Sequence, residues 1–315
     1  MRKKRLIAAE GYPVEEYFVN TPDGYILKVI RIPGSPNSPP APGKTVVFVQ
    51  HGLLSSSADW LTLGKEKAIP YLLANAGYDV WLGNARGNTH SRYHQYLSPN
   101  YPDFWDFSWH AIAPVAFMSN LKSPLLRVIA PLVDQVEYLV KMVGVYEFMP
   151  SHDLMVEGGQ LLCKDTSPFQ EVCANVLFLL SGYNSDQLNR TIIPEILKNT
   201  PAGSSVDQLI HYAQGINSAK FRMFDFGLTK NLLKYGSFSP PEYNLKAVTA
   251  PVFLHYSDND WMAAVKDVDE LASKLGNVVG KFRVSDAKFN HLDFIWAKDG
   301  DTLLYNRVIS YMDRY

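Results

Sequence analysis

The order of apolar and polar positions divides the chain into an alternating start, a helical middle and an alternating end. Glu16-Tyr17-Phe18-Val19-Asn20 and Tyr25-Ile26-Leu27-Lys28-Val29-Ile30-Arg31 flank Thr21-Pro22-Asp23-Gly24. Asp-Gly between such β-rich runs predicts a hairpin. Pro33 through Gly43 holds five prolines and reads as a surface loop. Thr45–Gln50 is one apolar run, the pattern of a strand buried on both faces. Lys65–Ala76 reads as a helix stopped by Gly77, and Tyr78–Leu82 as the next strand. Strand, helix and strand in succession predict a right-handed α/β core with a mostly parallel sheet. The alternation resumes late, with strands at Val252–Tyr256 and Lys281–Val284 and helices at Val265–Leu275 and Leu303–Asp313.

Between these ends the period changes. Leu125–Val143, Phe169–Leu180 and Val206–Ser218 are helix-like and are separated by Pro150-Ser151, Pro201-Ala202-Gly203 and Pro240-Pro241. The reading is three parts: residues 1–113 as the first half of an α/β core, 114–244 as an inserted helical cap, and 245–315 as the second half of the core. No repeat or low-complexity tract interrupts this plan.

Bulk composition narrows the function classes. Hydrophobic residues make up 47% of the 315 and charged residues 19%, enough for a sizeable core. A net charge of −1 gives no electrostatic reason to expect nucleic acid as a partner. No Cys/His cluster suggests a metal, and no apolar run is long enough for a transmembrane segment. Cys163 and Cys173 are spaced so that a local disulfide is feasible but not required. Asn189-Arg190-Thr191 is a glycosylation sequon, relevant only in the secretory pathway. Met1–Arg5 is basic like a signal-peptide start, but Leu6–Ala9 stops at Glu10, short of the ~7–15 apolar residues required. A cytosolic chain, or one lacking its true beginning, is the expectation from the residues alone.

Candidate chemistry lies just past the strand-like segments, where parallel sheets gather reactive groups. Val252–Tyr256 runs on to Asp258-Asn259-Asp260, and a later apolar run ends at Asn290-His291. The first core strand runs into His51-Gly52-Leu53-Leu54. An acid, a base and a turn with free backbone N–H groups are what an ester hydrolase needs beside its nucleophile. Taken singly, His291 could be a loop histidine, Asp260 a helix cap and His51-Gly52 a tight turn, and Asp258 is a nearby rival for the acid role. Their shared placement at strand ends, in the order acid then base, favours the catalytic reading.

The motifs go further. Gly11-Tyr12-Pro13, Asp23-Gly24-Tyr25, Gln50-His51-Gly52-Leu53-Leu54, Gly83-Asn84 and Arg86-Gly87-Asn88 closely resemble those of the acid lipase family of gastric, lysosomal and insect lipases. So do Ala113-Pro114-Val115-Ala116, Pro201-Ala202-Gly203-Ser204-Ser205, Asn259-Asp260 and Asn290-His291-Leu292-Asp293-Phe294. The resemblance covers nearly the whole chain. It implies an α/β-hydrolase fold with a helical lid, hydrolysis of neutral lipid esters such as triacylglycerols or steryl esters at a lipid–water interface, no cofactor, and a secreted or lysosomal location. It makes Asp260 the triad acid, His291 the base and Leu53 an oxyanion-hole donor. Cys163 and Cys173 fall where relatives carry a lid disulfide.

One departure is large. Relatives carry a strand ending in Gly-His-Ser-Gln-Gly, flanked by helices, between their Phe-Trp-x-Phe-Ser and Ala-Pro-Val-Ala motifs. Here Phe104-Trp105-Asp106-Phe107-Ser108-Trp109-His110 runs straight into Ala111-Ile112-Ala113-Pro114. Roughly fifty to sixty residues are missing, about two helices and a strand. Gly83–Gly87 and Gly276–Gly280 have the right spacing for a nucleophile elbow but centre on Ala85 and Val278. Ser108 has no elbow glycines around it. The expectation is an exon-skipped or otherwise shortened lipase that is inactive because its nucleophilic serine is absent. The alternative is a non-catalytic lipid-binding or regulatory protein on the same fold. An active esterase with another nucleophile ranks last. Removing a central strand should also leave an apolar edge uncovered, with Ala111–Val115 a poor substitute because Pro114 cannot donate to a ladder.

Overall fold

The computed structural model describes residues 2–105, 115–149, 162–164 and 166–314. The join after His110, Ser108 and most of Ala111–Val115 lie outside the described residues.

A helix, α1 (Arg2–Ala9), opens the chain and buries Ile7 completely. The expected hairpin follows as β1 (Glu15–Asn20) and β2 (Tyr25–Ile32), antiparallel with Asn20 opposite Ile26. Strands β3 (Val46–Val49) and β4 (Asp79–Leu82) pair in parallel around α2 (Ile69–Asn75), one βαβ unit. Helix α2 begins later than the apolar pattern indicates, with Pro70 in its first turn. It ends where expected, because Gly77 takes a φ of 102° and turns the chain into β4. The sheet order is β1-β2-β4-β3, and β5 (Tyr93–His94) pairs with β2. Every pairing in it except β3 with β4 is antiparallel. Ile30, Ile32, Val80 and Leu82 are fully buried and pack with Tyr71 and Leu73 of α2. Apolar burial on this scale is the main stabilising contribution here.

β3 corrects one expectation. Val46 is 62% exposed and Phe48 59%, so this strand is not buried on both faces. The apolar run is real, but the face carrying Val46 and Phe48 is only partly covered. β4 occupies one edge of β3, and no other described strand pairs with it.

The segment expected as a cap holds, among the described residues, α3 (Pro124–Ile129), α4 (Val133–Met142), α5 (Gln170–Ser181), α6 (Ile193–Asn199), α7 (Val206–Ser218) and α8 (Leu228–Tyr235). The helix expected over Leu125–Val143 is broken at Ala130–Leu132, where Pro131 removes a backbone donor. A short antiparallel pair, β6 (Glu147–Phe148) with β7 (Ser204–Ser205), lies within this otherwise helical part. Cys163 and Cys173 form a disulfide beside the buried cluster of Ala174, Phe178 and Ile193.

The chain ends with β8 (Val252–Tyr256), α9 (Val265–Lys274), β9 (Val278–Arg283), α10 (Asp293–Trp296) and α11 (Asn306–Met312). β8 and β9 are parallel and form a sheet of their own. The core is thus split: no described strand joins β3 to β8.

Candidate active site

Asp260 stands four residues past the end of β8, and His291 eight residues past the end of β9. The two meet: His291 Nδ1 lies 2.8 Å from Asp260 Oδ2. The carboxylate accepts, so Nδ1 carries the proton and Nε2 is left with its lone pair. The other oxygen, Asp260 Oδ1, accepts from the backbone N–H groups of Met262 at 2.8 Å and Ala263 at 2.7 Å. Asp260 is therefore saturated, and it is almost wholly buried. It caps a local turn and orients the histidine at once. It does not cap α9, which starts after Ala264. The rival Asp258 turns outward and pairs with exposed Arg283.

The electrostatics suit an acid–base pair. Burial pushes the Asp260 carboxyl up, but His291 and the two backbone donors outweigh it and hold the group below its ordinary range. Burial pushes the His291 imidazole down, and the Asp260 charge more than reverses this, so it binds a proton more readily than an ordinary histidine. Such an imidazole is suited to take a proton at Nε2. Among the described residues, no hydroxyl or thiol is hydrogen-bonded to His291, whose bonds go to Asp260 and, from its backbone, to Ser181.

The base loop has supports beyond its histidine. Asn290 Oδ1 accepts from the N–H groups of Leu292 and Asp293, and Asp293 Oδ2 accepts from Asn290 N. Asn184 Nδ2 donates to the same Asp293 oxygen at 2.8 Å. Burial pushes the Asp293 carboxyl up to about 7. Asp293 and Asn290 stand in the motif around His291, but nothing in the sequence marks Asn184 as their neighbour.

Leu53 lies elsewhere. The turn after β3 is held by His51, whose Nδ1–H donates to Gly52 O at 2.8 Å. His51 Nε2 accepts from Ala85 N and Asn88 Nδ2, which ties this turn to the one after β4. Leu54 adopts a left-handed φ of 61°, uncommon for a branched side chain. Its carbonyl accepts from Ala202 N at 2.7 Å, and Thr200 Oγ1 donates to Asp59 Oδ1. The Leu53 N–H has no hydrogen-bond partner among the described residues. Leu53 lines a cleft of about 400 Å³ between the first sheet and the cap, with Phe48, Met118, Tyr212 and Phe221 on its walls. Asp260 and His291 do not line it. The structure thus brings Asp260 and His291 together and presents Leu53 to a largely apolar cleft, with no hydrogen bond between that pair and Leu53.

Asn189 Oδ1 accepts from the backbone and hydroxyl of Thr191 in a partly exposed turn. No group of three or more His, Cys, Asp or Glu among the described residues is clustered tightly enough to hold a metal ion. No helix among them is long and apolar enough to cross a membrane.

Residues 4–64 match a family described as the partial α/β-hydrolase lipase region. Lipase 3 of Drosophila melanogaster is 38% identical, with 98% of this chain and 92% of that protein aligned. The human lysosomal acid lipase/cholesteryl ester hydrolase is 33% identical over all of this chain and 91% of its own length. Bovine gastric triacylglycerol lipase is 33% identical, covering 99% of this chain and 91% of that protein. The alignment to the lysosomal enzyme runs to 371 positions against 315 residues here, so at least 56 of them fall opposite gaps in this chain. Identity at this level along nearly the full length, together with an aspartate and a histidine meeting past two parallel strands, establishes that the chain belongs to the acid lipase family of the α/β-hydrolase superfamily.

Proposed function

We propose that the chain is a carboxylic ester hydrolase by descent, shaped for neutral lipid esters such as triacylglycerols or steryl esters, and that it is catalytically inactive in this form. One observation carries the reading: His291 is oriented by Asp260, which raises its proton affinity as suits a general base, and no hydroxyl among the described residues is hydrogen-bonded to it. The chain contains no Gly-x-Ser-x-Gly, and its alignment to the lysosomal relative leaves at least 56 positions opposite gaps, enough in total for a strand and two helices. Members of a triad act as a unit, so a base without its nucleophile retains no covalent catalysis. Asp260 and His291 would be the surviving acid and base, Leu53 the surviving oxyanion donor. The parts would be core 1–113, cap 114–244 and core 245–315. A disulfide between Cys163 and Cys173 fits an oxidising compartment, secreted or lysosomal, where Asn189 would carry a glycan.

A second reading is a non-catalytic neutral-lipid-binding protein. Exposed Val128, Leu132, Tyr138, Leu139, Met142 and Val143 on α3, α4 and their flanks favour it, because an apolar stripe of that size suits a lipid–water interface.

A fluorophosphonate probe separates activity from its absence. The purified chain should remain unlabelled while a full-length relative is labelled. Labelling that disappears in His291→Gln would overturn the proposed inactivity.

A further inference from the structure

The acid and the base sit on two separate loops, neither of them held by a strand at the residue concerned. We infer that four consecutive cap residues, Ser181-Gly182-Tyr183-Asn184, are the positioning element that sets the distance between Asp260 and His291. The inference rests on the reading of those two as acid and base.

Both loops converge on this turn. The Ser181 carbonyl accepts from Trp261 N at 3.2 Å and from His291 N at 3.3 Å, so one oxygen touches the neighbour of the acid and the base itself. The Gly182 carbonyl accepts from Asn290 Nδ2 at 2.8 Å, and the Tyr183 carbonyl from Asn259 Nδ2 at 2.9 Å. Asn184 Nδ2 donates to Asp293 Oδ2. The loops are also joined directly, through Asn259 Nδ2 and the Lys288 carbonyl at 2.7 Å. The residues flanking Asp260 and His291 are thus bonded to one short piece of backbone.

Gly182 makes the approach feasible. It adopts φ 111°, and a Cβ there would stand 2.2 Å from the Asn259 carbonyl oxygen. No other residue lets the turn reach the acid loop without displacing it. A hydrogen bond between two loops weakens steeply with misplacement, so the element that fixes their separation controls the charge coupling of the pair. The turn ends α5, whose Cys173 is tied to Cys163, so this part of the cap is a fixed support for the pair.

The test reads the coupling itself. Protein carrying isotope-labelled histidine is titrated by NMR, with His291 assigned through His291→Gln. In the native chain the His291 midpoint should lie above the ordinary 6.5, with a low-field Nδ1–H resonance. Asp260→Asn should lower the midpoint; if it does not, the acid–base reading itself fails. With that established, Asn184→Ala and Asn259→Ala should each lower the midpoint by about one pH unit and broaden the Nδ1–H resonance. Gly182→Ala should act more strongly; should that variant not fold, the other two decide. Ile193→Ala, buried in the cap beside the disulfide, is the control: it should lower the melting temperature and leave the midpoint in place. Unchanged midpoint and resonance in folded Asn184→Ala and Asn259→Ala, or an equal shift in Ile193→Ala, would overturn the inference.

Discussion

The two halves of the core solve the same problem to different depths. In the first half, β4 lies between β2 and β3, and its inward residues Val80 and Leu82 are completely buried. In the second half, β8 pairs among the described residues with β9 alone, and Leu254, the most buried residue of the pair, keeps 9% of its surface. A strand with partners on both edges and cover on both faces is a core element; a strand in a pair is half a surface. Yet the better-ordered chemistry sits on the weaker half. The loops carrying Asp260 and His291 are bonded to the Ser181–Tyr183 turn through Asn259, Trp261, Asn290 and the His291 backbone, and Asp260 is bonded to His291, so no strand beyond β8 and β9 takes part in their contact. The first half is well packed up to β3 and then ends on exposed Val46 and Phe48, next to the turn that carries Leu53.

The largest expected difference between the halves is in stability. Leu82→Ala should cost about 4 kcal/mol, because a fully enclosed leucine leaves a cavity that its neighbours fill only in part. Leu254→Ala should cost about half as much, since its surroundings already admit solvent. Denaturant unfolding of both variants measures the contrast. Equal losses would mean that β8 and β9 are as well enclosed as β4, and the comparison would fail.

How much of this was legible depended on sequence distance. The β1–β2 hairpin and the helix Val206–Ser218 are local patterns, and both stand where periodicity puts them. The pairing of Asp260 with His291 is legible because each follows an apolar strand and belongs to a compact motif. Asn184 is not: it meets Asp293 across 109 residues, and neither position advertises the other. The exposure of β3 runs against its sequence pattern for a related reason. An apolar run records the environment for which a strand is suited, and Val46–Val49 suits an interior that the described residues do not supply.

A second comparison concerns charge inside the weaker half. Asp293 is buried and its carboxyl is raised to about 7, with desolvation the largest cause. A carboxyl raised in the folded state favours the fold while protonated. Its contribution is fully present below the ordinary value of 3.8 and is lost as pH rises to about 7. Asp293→Asn removes that titration and can keep a carbonyl acceptor for Asn290 N. The stability of the native chain relative to this variant should fall by on the order of 2 kcal/mol between pH 4 and pH 7, then level off. Thermal melts of both proteins across that range give the difference directly. A difference independent of pH would mean that Asp293 stays charged in the fold, held by Asn184 and the loop amide.

The smallest effect compares one ion pair from each half. Arg31 on β2 grips Asp79 on β4 through two bonds, Nε to Oδ1 and Nη2 to Oδ2, each 2.8 Å, and Asp79 is buried. Arg283 on β9 holds Asp258 beyond β8, and both side chains are nearly half exposed. Two fixed bonds to a buried carboxylate resist competition from water, whereas an exposed pair trades protein for solvent at little gain. Asp79→Asn should therefore cost about 1 kcal/mol, discounted for the solvent that reaches Arg31. Asp258→Asn should cost nothing measurable. Raising salt should leave the first loss largely intact. If Asp79→Asn proved equally silent, the strand pairing of the first half would owe its stability to apolar burial alone, and the contrast between the halves would reduce to packing.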